Sequence, residues 1–198
     1  NLRPSLARLR TTVWFFPVYS SRWRDTFAYG QMRTELKLGR LPLRGYLSAR
    51  LIGDSRRLTA AAGPGSLSES AVIFGAGLAT DYWHGMMLWA EAGSAVSYLE
   101  NRTGQPRMAP DYRGGAAFYR GFGRLLSGRQ RGAFLETNDD GVFISRFQND
   151  VVLYSQNRAG YTLAPSAALG GFQTQWYWNA NLSKDLRRQH WANAVESG

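Results

Sequence analysis

The sequence predicts an all-β protein, an antiparallel up-and-down transmembrane barrel of about ten strands or part of a larger barrel. Three observations predict it. Apolar and polar residues alternate with period two over long stretches, so a helix drawn through them would have no single apolar side. Several stretches exceed the five or six residues usual for a soluble strand. Short turns alternate with long polar loops, the asymmetry of outer-membrane barrels. The whole chain, 1–198, reads as one barrel domain or barrel fragment.

The first strand is expected over Thr11 to Tyr19, followed by a polar turn from Ser20 to Asp25. Thr26 to Leu38 is next, with Thr34, Leu36 and Leu38 alternating with Glu35 and Lys37. Gly39 to Pro42 is a tight connection. In Leu43 to Ile52, Leu43, Gly45, Leu47, Ala49 and Leu51 share one face, and Arg44, Tyr46, Ser48 and Arg50 the other. Gly53 to Glu69 is a long loop of small residues. Ser70 to Trp83 and Met86 to Leu99 form a hairpin turned by His84 and Gly85. Val72, Phe74, Ala76, Leu78 and Tyr82 oppose Ile73, Gly75, Gly77, Ala79 and Asp81 on its first strand.

Glu100 to Asp111 reads as a second long loop and Tyr112 to Phe122 as a strand. Gly123 to Arg131 is a basic loop. Ala133 to Phe147 is either one bent strand or two short ones split at Asn138 to Gly141, where Asp140-Gly141 suits a type I′ turn. Val151 to Leu163 is a further strand. Phe172 to Leu182 alternates most cleanly, with Phe172, Thr174, Trp176, Trp178, Ala180 and Leu182 against Gln173, Gln175, Tyr177, Asn179 and Asn181. Lys184 to Gln189 is a charged turn, and a last strand begins at Trp191.

Composition agrees with this reading. Aromatic residues make up 14% of the chain and glycine counts 22, which suits strands and turns. No apolar run reaches the roughly 18 residues of a spanning helix. The mean hydropathy of -0.35 does not exclude a barrel, in which only alternate residues meet lipid. There are no cysteines, which removes disulfides, thiolate metal sites and cysteine nucleophiles together. Trp14, Trp23, Tyr82, Trp83, Tyr98, Tyr112 and Trp191 fall near the expected strand ends, as in interfacial girdles. The chain opens at Asn1 without a signal-peptide pattern, so either a leader has been removed or the chain is part of a longer one.

The net charge is +10, and lysine occurs only at Lys37 and Lys184. Arginine presents a planar fork suited to carboxylates and phosphates. The same excess also follows from a GC-rich coding sequence. No catalytic residue, metal ligand set or cofactor site is expected, and the chain reads as non-enzymatic. His84 and His190 stand in turns with nothing to pair with them. Asp139 and Asp140 are adjacent and would point to opposite faces of a strand. Gly114-Gly115 and Gly170-Gly171 precede no helix, so neither is a phosphate loop.

The informative constellation is the polar face. It carries Arg44, Tyr46 and Arg50, then Arg113 and Tyr119, then Tyr154, Gln156 and Arg158, and last Gln173, Gln175, Tyr177, Asn179 and Asn181. Projecting into one lumen, these would make a hydrogen-bonding, aromatic and positive lining. Sugar rings stack on tyrosine, hydroxyls meet amides, and arginine attracts uronates or phosphates. A generic water-filled or plugged lumen is also polar.

Three segments carry a family likeness: Tyr112 to Arg120 (YRGGAAFYR), Phe143 to Asp150 (FISRFQND) and Tyr154 to Tyr161 (YSQNRAGY). From about Thr26 onward the chain resembles the C-terminal barrel of outer-membrane exopolysaccharide-export proteins, including the cellulose-synthase-operon outer-membrane protein and the related phage adsorption protein. The resemblance implies a barrel of about sixteen strands fed by periplasmic helical repeats. This sequence shows about ten strands, no repeat helices and no terminal aromatic. The expected partners are membrane lipid, an anionic or neutral polysaccharide, and a periplasmic helical-repeat scaffold or other envelope proteins. The expected location is the outer membrane of a Gram-negative bacterium. The expected function is export or anchoring of extracellular polysaccharide. Two alternatives are an outer-membrane structural or receptor protein with a plugged lumen, and a soluble basic β-domain that binds nucleic acid.

Overall fold

A computed structural model describes residues 8–20, 25–54, 70–98, 106–123, 131–146, 149–164, 173–187 and 194–198. Ten strands follow one another in a single antiparallel sheet, each beside its neighbour in the sequence. They are β1 (Leu9–Ser20), β2 (Asp25–Lys37), β3 (Leu43–Asp54), β4 (Ala71–Thr80) and β5 (Met86–Ser97). Then come β6 (Met108–Gly123), β7 (Gly132–Ile144), β8 (Asp150–Thr162), β9 (Gln175–Asp185) and β10 (Ala194–Ser197). No helix occurs among the described residues.

The chain forms two compact units. One takes in β1 to β5 except the tip of the β4–β5 hairpin, the first part of β6, and residues 144–149. The other takes in that tip, the rest of β6, and most of β7 to β10.

Two tight turns set the register of the β2–β3 and β4–β5 hairpins. Between β2 and β3, Gly39 adopts φ +59 and the Leu38 amide donates to the Leu43 carbonyl at 3.0 Å. Between β4 and β5, Trp83 and Met86 pair across His84 (φ 49) and Gly85 (φ 90). Two successive residues at positive φ make a type I′ turn, whose twist matches that of the flanking strands.

Several boundaries differ from the sequence expectation. β4 is shorter, ending at Thr80. β6 begins at Met108, inside the expected loop, so that Asp111 lies in a strand. β7 runs unbroken through Asn138-Asp139-Asp140-Gly141, so of the two readings open for this stretch the single strand is the one formed. Local turn preference is weak against pairing on both sides of a strand. β9 continues past Leu182 to Asp185, so Lys184 is a strand residue rather than part of a turn. The short-turn, long-loop alternation holds from β2 to β6 and then reverses, with 145–149 short and 163–174 long.

Strand β1 pairs with β2 from Leu9↔Leu36 to Ser20↔Asp25. The Lys37 amide donates to the Arg8 carbonyl, so even-numbered residues of β1 bond toward β2 and odd-numbered ones bond away from it. Pro17 is odd-numbered, so its missing donor falls on the far edge, where no bond to β2 is lost. Phe15 lies over Gly30 on β2, where an added Cβ would stand 3.0 Å from its ring.

Candidate functional site

The two faces of β3, β4 and β5 are inverted relative to a water-soluble sheet. Leu47, Phe74 and Leu78 are 67%, 56% and 52% exposed, whereas Arg50 and Glu91 are each 6% exposed. Register explains the sorting. Arg44 stands opposite Ala79, Tyr46 opposite Gly77 and Arg50 opposite Ile73, so the side chains of one face all come from in-phase positions.

The buried face holds a run of ion pairs. At the turn end, Lys37 and Arg44 face one another across β2 and β3. Asp81 lies between them, at 2.9 Å from Lys37 Nζ and 2.9 Å from Arg44 Nε. The Lys37 ammonium first, and then the Arg44 guanidinium, hold the Asp81 carboxyl below its usual range. Further along, Glu35 takes Arg10 at 2.5 Å from the neighbouring strand and Arg33 at 2.8 Å from its own. The Arg33 guanidinium also lies 3.6 Å from the centroid of the Tyr46 ring, a cation–π contact. Arg50 grips Glu91 with two nitrogens, at 2.8 and 2.9 Å, with Trp89 beside it at 5.7 Å. The Tyr46 hydroxyl donates to the Ala90 carbonyl at 3.3 Å. Beyond this the face becomes apolar, where Ile52, Ala71, Ile73 and Ala95 pack with Tyr29. On β6, Arg113 holds Asp111 in a fork at 2.6 and 2.8 Å.

The second unit repeats the theme at lower charge. Arg158 on β8 pairs with Glu136 on β7, and Tyr119 on β6 lies beside the same carboxylate. The Arg158 guanidinium lies 5.4 Å from the Tyr177 ring. Beside this cluster is a neutral stripe. Gln156 faces Asn181 and Arg158 faces Asn179 across β8 and β9. Gln175 donates to Thr162 at 3.0 Å, and Asn179 donates to Asn181 at 3.1 Å. Tyr154 and Gln156 are half-buried on β8, and Gln173 lies just ahead of β9.

The residues expected to line a polar face thus fall into two groups. Arg44, Tyr46, Arg50 and Arg113 belong to the first unit. Tyr119, Tyr154, Gln156, Arg158, Gln173, Gln175, Tyr177, Asn179 and Asn181 belong to the second. Their acidic partners Glu35, Asp81, Glu91, Asp111 and Glu136 were not singled out in the sequence. Register brings together pairs such as Arg50 and Glu91, 41 residues apart, whereas Asp111 lies two residues before Arg113 on the same face of β6. An in-phase acid on an otherwise alternating strand, such as Glu91 between Trp89 and Gly93, is the signal that finds them.

Of the expected girdle aromatics, Tyr82, Trp83, Tyr98 and Tyr112 are exposed, the first two at the β4–β5 turn and Tyr98 just past β5. Trp14 is a correction: it lies well inside β1 and stacks on Tyr29 at 5.6 Å. Trp23, Trp191, His190, Phe172 and Gly170-Gly171 lie outside the described residues. His84 is exposed in its turn against Trp83. No protein-family model, no curated protein and no solved structure matches this chain.

Proposed function

We propose that the chain forms wall strands of an outer-membrane β-barrel and acts there as a structural or receptor element without catalytic chemistry of its own. The observation that carries this is the inversion of faces on β3 to β5, with paired ions buried and Leu47, Phe74 and Leu78 exposed. In water each such large apolar side chain forgoes about 1.5–3 kcal/mol of burial, and lipid restores it. In a barrel wall the polar face meets the lumen and the apolar face meets acyl chains.

The ion pairs favour a filled polar face over a binding one. Arg44, Arg50, Arg113 and Arg158 each hold a carboxylate of this chain. An anionic polymer or a nucleic acid would have to displace those carboxylates, at the cost of leaving them unpaired. A second reading, contact with extracellular polysaccharide, is supported by the neutral stripe of Gln175, Tyr177, Asn179 and Asn181 and by the likeness to exopolysaccharide-export barrels. It predicts that soluble neutral or uronate oligosaccharides bind, and that Tyr177→Ala removes the heat signal in calorimetry.

The test of the main reading exploits the absence of cysteine. Single Phe74→Cys, Leu78→Cys and Ser48→Cys variants are labelled with a fluorophore and reconstituted in vesicles of brominated lipid. Quenching at positions 74 and 78 but not at 48 is expected. Equal quenching at all three, or failure to partition into vesicles, sinks the proposal.

A further inference from the structure

The outward face of β7 and β8 changes character at mid-strand. Thr137 and Asp139 stand near the middle of β7, and Ser155 and Asn157 near the middle of β8. All four are odd-numbered, in phase with the exposed Leu135 and Leu153 and out of phase with the buried Glu136. A Cβ on Gly141 would lie 3.2 Å from Leu153 Cδ2, which sets those two residues side by side. Counting along an antiparallel ladder from that pair puts Asp139 beside Ser155 and Thr137 beside Asn157. The four side chains therefore make one polar island. Thr137 donates to Asp139 Oδ2 at 2.9 Å, and Asn157 Nδ2 donates to Ser155 Oγ at 2.9 Å. On the β9 side the island ends at Ala180 and Leu182, which face Asn157 and Ser155.

One hydroxyl does not compensate a carboxylate away from water. Among the described residues Asp139 has no ion-pair partner. A carboxylate at mid-depth on a lipid-facing strand is penalised, most of all near the bilayer centre. Intramembrane ionisable groups are characteristically paired.

We propose that this island is the docking site of a second, different membrane polypeptide that presents an arginine or lysine to Asp139, an inference that rests on the outer-membrane reading above. A second copy of this chain fits less well. Among the described strand residues of this unit the outward cations are Lys184, opposite Leu153, and Arg120, stacked on Phe122 at 5.0 Å, both toward strand ends. Two islands brought together about a two-fold axis would set acid against acid.

The test places a photo-cross-linking amino acid at Ala159, on the same outward face, and at Phe74 as a control. Cross-linking is done in intact cell envelopes, with Asp139 unchanged, with Asp139→Glu and with Asp139→Leu. Membrane flotation and heat-modifiable gel migration check that every variant is inserted and folded. The expected result is one adduct from position 159 and none from 74. It should persist in Asp139→Glu, fall at least tenfold in Asp139→Leu, and have a basic residue within the partner's cross-linked peptide. The proposal is overturned by an adduct that ignores Asp139→Leu, by a partner segment without a basic residue, by an adduct of twice the chain's own mass, or by lipid adducts alone. Failure of the unsubstituted protein to float with membranes overturns the outer-membrane reading first and this inference with it.

Discussion

The ring of Tyr46 lies across Gly77 on the neighbouring strand. A Cβ built on Gly77 would stand 2.5 Å from the ring's Cζ and would also press on the Ala90 carbonyl oxygen. The ring in turn supports the Arg33 guanidinium. The missing side chain on β4 is thus the space that allows an aromatic, and through it an arginine, to lie flat on this face.

Gly77→Ala is therefore expected to destabilise the fold by about 1–3 kcal/mol, because one of the clashing atoms is backbone and cannot swing away. Urea titration followed by the shift between unheated and heated gel mobility measures it. An unchanged midpoint would show that Tyr46 and the strand spacing yield freely.

Arg50 and Glu91 are both buried, joined by one hydrogen bond at 2.9 Å and a second ion-pair contact at 2.8 Å. Removing one partner leaves a charge without compensation, so Arg50→Met or Glu91→Met should each cost about 3–5 kcal/mol. The double variant should recover most of that loss, and a double-mutant cycle reports the coupling. Additive losses would mean that water or another group takes over each orphaned charge.

Asp81 supplies a pH dependence of known sign. Its folded pKa lies below the ordinary value of 3.8, so the folded state favours the ionised form. The stability it contributes is present above 3.8 and is lost as pH falls through the lower folded value. Asp81→Asn should thus be less stable than the parent at neutral pH, with the gap narrowing in acid below 3.8. A constant gap would mean that the carboxylate's charge plays no part. The group is partly exposed, and salt should shrink the effect.

The β4–β5 turn places a histidine at φ 49 and a glycine at φ 90. His84→Gly or His84→Asn should be neutral or mildly stabilising. Gly85→Val should cost about 1–2 kcal/mol or more, since a Cβ there would also press on the Tyr119 carbonyl oxygen. Thermal midpoints of the folded band decide it, and a neutral Gly85→Val would show that the turn relaxes to another type.

Strand identity and side-chain phase are legible wherever alternation is strict. Leu43 to Ile52 and Val72 to Asp81 read with the correct faces, because a single slip in register would bury leucines with arginines. Asn138 to Gly141 leaves two readings open in the sequence because turn preference is a local property, and pairing on both sides of β7 decides for the single strand. Asp111 reads as the end of a loop because Pro106 and Pro110 precede it, yet β6 runs through Pro110. The ion pairs were invisible for a different reason. Arginine abundance is a property of composition, whereas the carboxylates at Arg44 and Arg50 are chosen by strand register; only Asp111, two residues from Arg113, is local. A basic sequence was therefore read as a positive lining, and the structure places an acid against each of Arg44, Arg50, Arg113 and Arg158.

The phase of Pro17 has a consequence for assembly. From Leu9 to Phe15 the outer rim of β1 offers an amide and a carbonyl at every second residue, and at Pro17 it offers a carbonyl alone. A strand added to that rim would complete its ladder along the first part and fall one bond short at Pro17. The rim therefore has a direction: pairing on this side is stronger toward Leu9 than toward Ser20.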